Sequence, residues 1–207
     1  LGVFQKDLGS TAIFVAVLGI TYLVSGGSWI TVLAFIPFGI LAIVALIFTS
    51  SYRLKRILAF LDPFSDPQGY SYHITQVLIA LGSGGLLGLG LGQSRQKFYI
   101  PEVTTDSIFA VVGEELGFIG ASILIFLFAF LIIRGLKIAG QANDLFGKIL
   151  AVGLTSWLGV QAIVNLGAMV SLFPLTGVPL PFVSYGGSAL VANLAAIGIL
   201  LNISRKS

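Results

Sequence analysis

The sequence predicts an all-α fold, a polytopic bundle of membrane-spanning helices, on three observations. Of its 207 residues, 57% are hydrophobic and only 9% charged, where a soluble domain carries about 25% charge. Mean hydropathy is +1.04, more apolar surface than a soluble core of this size can hide. The apolar residues come in runs near the roughly 20 needed to cross a bilayer as a helix. They lack the alternating ten-residue pattern of a membrane barrel. A spanning backbone in lipid satisfies its own hydrogen bonds, which a helix does.

Five spans are expected. The first covers 8–24 and is followed by the short turn Ser25-Gly26-Gly27-Ser28. The second covers 29–48, the third 107–133, the fourth 146–170 and the fifth 188–203. The residues before the first span show no basic leader and no small-residue cleavage site, so no signal peptide is expected. The chain is expected to be the later part of a longer protein.

Between the second and third spans lies a long segment, 49–106. In "SYRLKRILAFLDPF" the cluster Arg53, Lys55 and Arg56 precedes Ile57, Leu58, Phe60 and Leu61. That pattern predicts an amphipathic helix lying on the membrane surface. "DPFSDPQGYS" then breaks the chain, and 73–81 is expected to form another short helix. "GSGGLLGLGLGQ" holds six glycines in twelve residues, which bends the chain and lets backbones approach closely. Lys and Arg in short loops favour the cytoplasm. Arg134, Lys137 and Lys148 therefore place 134–148 inside, with the tail Arg205-Lys206, and 49–106 becomes a large extracytoplasmic loop of one integral membrane domain spanning 1–207.

Several function classes are excluded. Net charge is +3, too weak for nucleic-acid binding. Cysteine is absent and there is one histidine, so no disulfide framework, thiol nucleophile or histidine-rich metal site exists.

What charge remains is concentrated. Four of the eight acids, Glu102, Asp106, Glu114 and Glu115, fall in "YIPEVTTDSIFAVVGEELGF" at the start of the third span. Asp106 is placed to cap that helix. Spacing favours the cap, and a role as general base at the membrane surface can coexist with it, because desolvation makes a carboxylate a stronger proton acceptor. Glu114 and Glu115 are expected inside the span, where ionisable groups need polar partners; Gln161, Asn165 and Asn193 are the candidates. The spacing of Glu102 and Asp106 is only a weak signal for a divalent cation. Arg95 and Lys97 follow the glycine run, a pairing suited to capturing an anion on backbone N–H groups and cationic side chains. "FPLTGVPLPFVSYGGSALVANL", which includes Ser184, holds three prolines and three glycines. It predicts irregular backbone lining a cavity.

"QKDLGSTA", "YRLKRILAFLDPFSDPQGYSYHITQ", "GSGGLLGLGLGQSRQK", "PEVTTDSIFAVVGEELGF" and "LPFVSYGGSALVANL" together resemble the SEDS family, for shape, elongation, division and sporulation. Its members include the FtsW and RodA proteins, and "GQSRQK" is nearer the FtsW/SpoVE branch. The resemblance runs along essentially the whole chain and implies the last five of ten spans. It implies a peptidoglycan glycosyltransferase of the bacterial cytoplasmic membrane. The enzyme would polymerise lipid II with inversion, beside a class B penicillin-binding protein and other membrane proteins of division or elongation. The family's essential aspartate maps onto Asp106. Arg53, Lys55, Arg56, Arg95 and Lys97 become candidates for the diphosphate. Glu102, Glu114, Glu115, Asn165, Ser184 and Asn193 become polar support, and Mg or Mn a candidate cation; no organic cofactor is implied. The chain departs from the family pattern at Lys6, where proline is common, and at Thr104, where histidine is. The stretch between Lys97 and Pro101 is about one residue short. Two other readings remain, a lipid II flippase and a non-catalytic scaffold. A flippase predicts charged groups along a route across the bilayer; a scaffold predicts that Asp106→Asn is silent.

Overall fold

The computed structural model describes residues 8–206; Gln5, Lys6 and Asp7 of the first motif lie outside them. Seven α-helices and no strand occur among the described residues. Helix α1 is Leu8–Val24, α2 Trp29–Phe48, α3 Ser51–Leu61, α4 Tyr72–Ser83, α5 Ile108–Gln141, α6 Leu145–Met169 and α7 Gly187–Lys206. Four of them, α2, α5, α6 and α7, are long and apolar enough to cross a membrane, and α1 is a shorter apolar helix.

The first two helices start and stop where the hydropathy predicts. Ser28 caps α2 by accepting a hydrogen bond from the Ile30 N–H at 3.2 Å. None of the α2 residues is buried, as suits a helix apolar all round and surrounded by lipid or other helices. A helix follows over the basic cluster, as expected. The α5–α6 loop is much shorter than predicted. The apolar run ends near Ile133, but the helix continues to Gln141, so Arg134 and Lys137 are helical. Asp144 then caps α6 through the Gly147 N–H at 2.8 Å.

Two cores sit at opposite ends of the bundle. One joins α3 to α6 through Ala59, Val77, Phe109, Phe128, Ala162 and Met169. The other packs Ala139, Ala151, Val152 and Leu200 with Ile20 and Val24 of α1. Between them α5 and α6 approach closely at Gly135, where a Cβ would stand 2.3 Å from the Thr155 hydroxyl. Small residues serve this purpose where helices meet in a membrane.

Helix α5 is broken at Gly117, whose φ of 66° and ψ of −167° are not helical. A break frees backbone groups that lipid cannot satisfy. The glycine-rich segment satisfies them. Leu89 and Gly90 donate to the Glu114 and Glu115 carbonyls at 3.0 Å each, while Phe118 and Ile119 donate to the Gly85 and Leu86 carbonyls at 2.9 and 3.2 Å. The two backbones touch, and a Cβ on Gly88 would lie 2.1 Å from the Glu115 carbonyl oxygen. The close approach expected of the glycine run is thus made, against the broken helix. The portion beyond the break, 118–141, rises about 36 Å at about 1.5 Å per residue, enough for a hydrocarbon core about 30 Å thick.

Candidate active site

Four segments converge near the start of α5: helix α3, helix α4, the turn 102–107, and the irregular stretch after α6. Asp106 sits in the turn and is 7% exposed. It does not cap α5. Ser107 holds the cap position, and no side chain makes the capping bond. The Asp106 carboxylate instead lies 3.2 Å from the Thr105 hydroxyl, which also stands 3.0 Å from the Glu102 carboxylate. One hydroxyl hydrogen thus serves two acids in turn. Glu102 holds a φ of 50°, a left-handed conformation that costs a non-glycine residue about 1–2 kcal/mol.

The backbone under Asp106 is fixed from α6. Asn165, 1% exposed, donates its amide to the Asp106 carbonyl and to the Val178 carbonyl, each at 2.7 Å. Gln161 donates to the Pro179 carbonyl at 2.8 Å, and the Tyr185 N–H reaches the Thr104 carbonyl at 2.7 Å. The stretch after α6 is thereby held over the turn. A Cβ at Gly177 would lie 3.7 Å from the Asp106 carboxylate. Asn165→Ala orphans two buried carbonyls at about 1–3 kcal/mol each. It is expected to lower the unfolding midpoint; an unchanged midpoint would show that the two bonds contribute nothing.

A cleft of about 440 Å³ opens beside this turn, lined by Tyr52, Lys55, Arg56, Tyr70, His73 and Phe173 among others. The Arg56 guanidinium donates to the Leu175 carbonyl at 2.8 Å and to the Tyr52 hydroxyl, and stacks on the Tyr52 ring at 4.7 Å from its centre. His73 joins the cleft to the turn, its Nε2 2.7 Å from the fully buried Ser107 hydroxyl. Burial pushes the His73 imidazole below the usual histidine value; Arg56 acts in the same direction, while Asp106 and Glu102 oppose it.

The expected site residues divide accordingly. Asp106, Glu102, Arg56, Lys55 and Asn165 are gathered here. Arg53 is not: it is buried, and donates to the Leu46 carbonyl at 2.9 Å, turned toward the end of α2. Arg95 and Lys97 lie outside the cleft, on the glycine-rich loop. Their expected anion-binding backbone is already engaged, because the Arg95 and Gln96 N–H groups donate to the Glu114 carboxylate at 3.0 and 3.2 Å. Ser94 donates to Glu114 through its hydroxyl, and the Gly92 and Ser94 N–H groups donate to Glu115 at 2.9 and 3.2 Å. Glu114 and Glu115 therefore clamp the loop rather than meeting Gln161, Asn165 or Asn193. Lys97 closes the loop on itself through the Gly92 carbonyl at 2.8 Å. Ser184 holds a turn by accepting from the Leu180 N–H at 2.7 Å, and Asn193 is buried in α7. Sequence reasoning passed over His73, Thr105 and Ser107. A lone imidazole on the helix after the Pro/Gly break, and hydroxyls flanking the key acid, were the available signals.

For the candidate cation, no group of three or more His, Asp or Glu side chains suited to a metal forms among the described residues. The carboxylates gathered here do not make a cage for one.

Fold and site together define a multi-pass helical membrane protein with a carboxylate and cationic cleft at one end of the bundle. The chain belongs to the FtsW/RodA/SpoVE family, described as "Cell cycle protein", whose profile matches residues 1–207. It is 46% identical over 204 residues to Stage V sporulation protein E of Bacillus subtilis (strain 168), covering 98% of this chain and 56% of that protein. It is 45% identical over 201 residues to the probable peptidoglycan glycosyltransferase FtsW of Trichlorobacter lovleyi, covering 97% of this chain and 53% of that one. Among solved structures it superposes on a chain of a peptidoglycan synthase complex with a TM-score of 0.78 at 29% identity, covering 99% of this chain and 57% of that one. On the rod shape determining protein RodA of Thermus thermophilus the TM-score is 0.61 at 29% identity, with 99% and 51% covered. The chain thus spans a little over half the length of the relatives it matches.

Proposed function

We propose that this chain carries the catalytic half of a peptidoglycan glycosyltransferase that polymerises lipid II, with Asp106 as general base. The observation that carries the reading is the placement of Asp106: buried, anchored from α6 by Asn165, and joined through its neighbour Ser107 and His73 to a cleft bearing Arg56 and Lys55. An acceptor sugar hydroxyl gives its proton to Asp106 as its oxygen bonds to the donor's anomeric carbon. The bond from that carbon to the diphosphate oxygen breaks, and the configuration inverts. The departing lipid diphosphate takes the electron pair, and cations placed where that charge develops lower the barrier. Arg56 and Lys55 fill that role. The site faces the extracytoplasmic side of the bacterial cytoplasmic membrane, and a class B penicillin-binding protein crosslinks the product. The names of the relatives support this reading.

The flippase reading loses its principal support. Glu114 and Glu115 accept five hydrogen bonds from the glycine-rich loop, which removes them as stations on a route across the bilayer. The test is polymerisation of labelled lipid II by the protein made at the full length of its family, together with its transpeptidase partner. The partner must be inactivated for any glycan synthesis of its own. Glycan strands are expected, and Arg56→Ala is expected to reduce their rate by about tenfold or more, the loss of a charged hydrogen bond worth about 1.5–3 kcal/mol. No strands where a known transferase makes them would sink the reading.

A further inference from the structure

His73 is a half-buried titratable group that the mechanism above does not use, and it stands at the cleft wall. We propose that His73 is a third cationic contact for the diphosphate beside Lys55 and Arg56, so that substrate binding takes up a proton. The inference rests on the reading of the cleft as the diphosphate site.

The geometry supplies the argument. His73, Lys55 and Arg56 line one cleft. The His73 Nε2 is held by the Ser107 hydroxyl at 2.7 Å, which fixes the ring and leaves Nδ1 as its other polar atom. Ser107 can accept from Nε2–H, so the imidazolium keeps that bond, with Nε2 as donor. The charged groups around the ring are Asp106 and Glu102 from the turn before α5, Arg56 and Lys55 from α3, and Asp66 from the loop before α4. In the empty cleft burial is the largest influence and favours the neutral ring, with Arg56 adding to it and Asp106 and Glu102 opposing. A diphosphate diester brings two negative charges to the same wall, and an opposite charge within about 4–6 Å favours the imidazolium.

The sign follows from linkage. Binding raises the histidine pKa, so the bound state holds more protons than the free state. Affinity is highest below the free-state pKa. It falls by up to about tenfold per pH unit between the free and bound values, and is flat above both. Glutamine at this position can hydrogen-bond but cannot charge.

The experiment measures binding of a short-chain prenyl diphosphoryl-N-acetylglucosamine to the family-length protein in nanodiscs. This probe is a diphosphate diester and carries no proton that titrates between about pH 5.5 and pH 8. Wild-type affinity is expected to fall about tenfold or more from pH 6 to pH 8. Calorimetry in two buffers of different ionisation enthalpy is expected to show net proton uptake, a result that depends on no variant. His73→Gln is expected to flatten the pH dependence and abolish the uptake, while Arg56→Ala weakens binding at every pH. Arg56-dependent binding without proton uptake, or with the same pH dependence in His73→Gln, overturns the role of His73 and leaves the cleft assignment intact. Absence of binding at any pH, or binding indifferent to Arg56, overturns both.

Discussion

Asp106→Asn in the family-length protein is expected to slow lipid II polymerisation by about 10²–10⁴-fold, the usual contribution of a positioned general base. That is about 2.7–5.5 kcal/mol of barrier. The substitution is well suited to the question because it keeps the shape. Asn165 grips the backbone carbonyl of residue 106 rather than its side chain, so that anchor survives. The Thr105 hydroxyl can still donate to the remaining side-chain oxygen. What is lost is the ability to take a proton. The measurement is strand synthesis against time, beside an unfolding midpoint that should match wild type. Retention of the wild-type rate would remove Asp106 from the chemistry and revive the scaffold reading.

The second large effect concerns the break in α5. Gly117→Ala is expected to destabilise the protein by about 3–5 kcal/mol, in the rare upper range for single substitutions. Two causes act together. The φ of 66° and ψ of −167° belong to a region occupied essentially by glycine alone. A Cβ there would stand 2.3 Å from the Gly88 nitrogen and 2.6 Å from the Leu86 carbonyl oxygen. Both are backbone atoms and cannot rotate away, so the glycine-rich segment must detach and its four bridging hydrogen bonds fail with it. The unfolding midpoint in detergent should drop by about 10 °C or more. Gly198→Ala is the control, since nothing lies within 4 Å of its added Cβ; it is expected to change stability by less than about 1 kcal/mol. Equal midpoints for the two variants would show that the break is not held as described.

Hydropathy made the spans legible because lipid imposes a length and a composition that local sequence must meet. The predicted 29–48 matches α2 to the residue, and the helix α3 was readable from its amphipathic pattern. The extension of α5 to Gln141 was not, because the continuous apolar run stops at Ile133 while the helix carries on through mixed residues. The break at Gly117 has no local signal, since both glycines of "ELGFIG" read as helix until the distant partner segment is known. The same limit misplaced the partners of Glu114 and Glu115. Side-chain amides in neighbouring spans could be seen in the sequence, whereas the actual donors are mostly backbone N–H groups, which every residue type carries. Asp106 was legible as the acid to watch, but its capping role was not borne out. The next residue takes the cap position, and the carboxylate shares a hydroxyl with Glu102 instead.

The matched break has a consequence for exchange between relatives. Residues 84–98 and 113–119 complete each other's backbone, and neither is a finished piece of secondary structure alone. A chimera that imports one stretch and keeps the other must fit two foreign main chains at van der Waals distance, and around Gly88 and Gly117 backbone meets backbone with no flexible side chain to absorb a misfit. Recombination at this place therefore operates on the pair. Variation should be tolerated at Leu87 and Leu91, which point outward, and refused at Gly88 and Gly117, where each strand is the mould of the other.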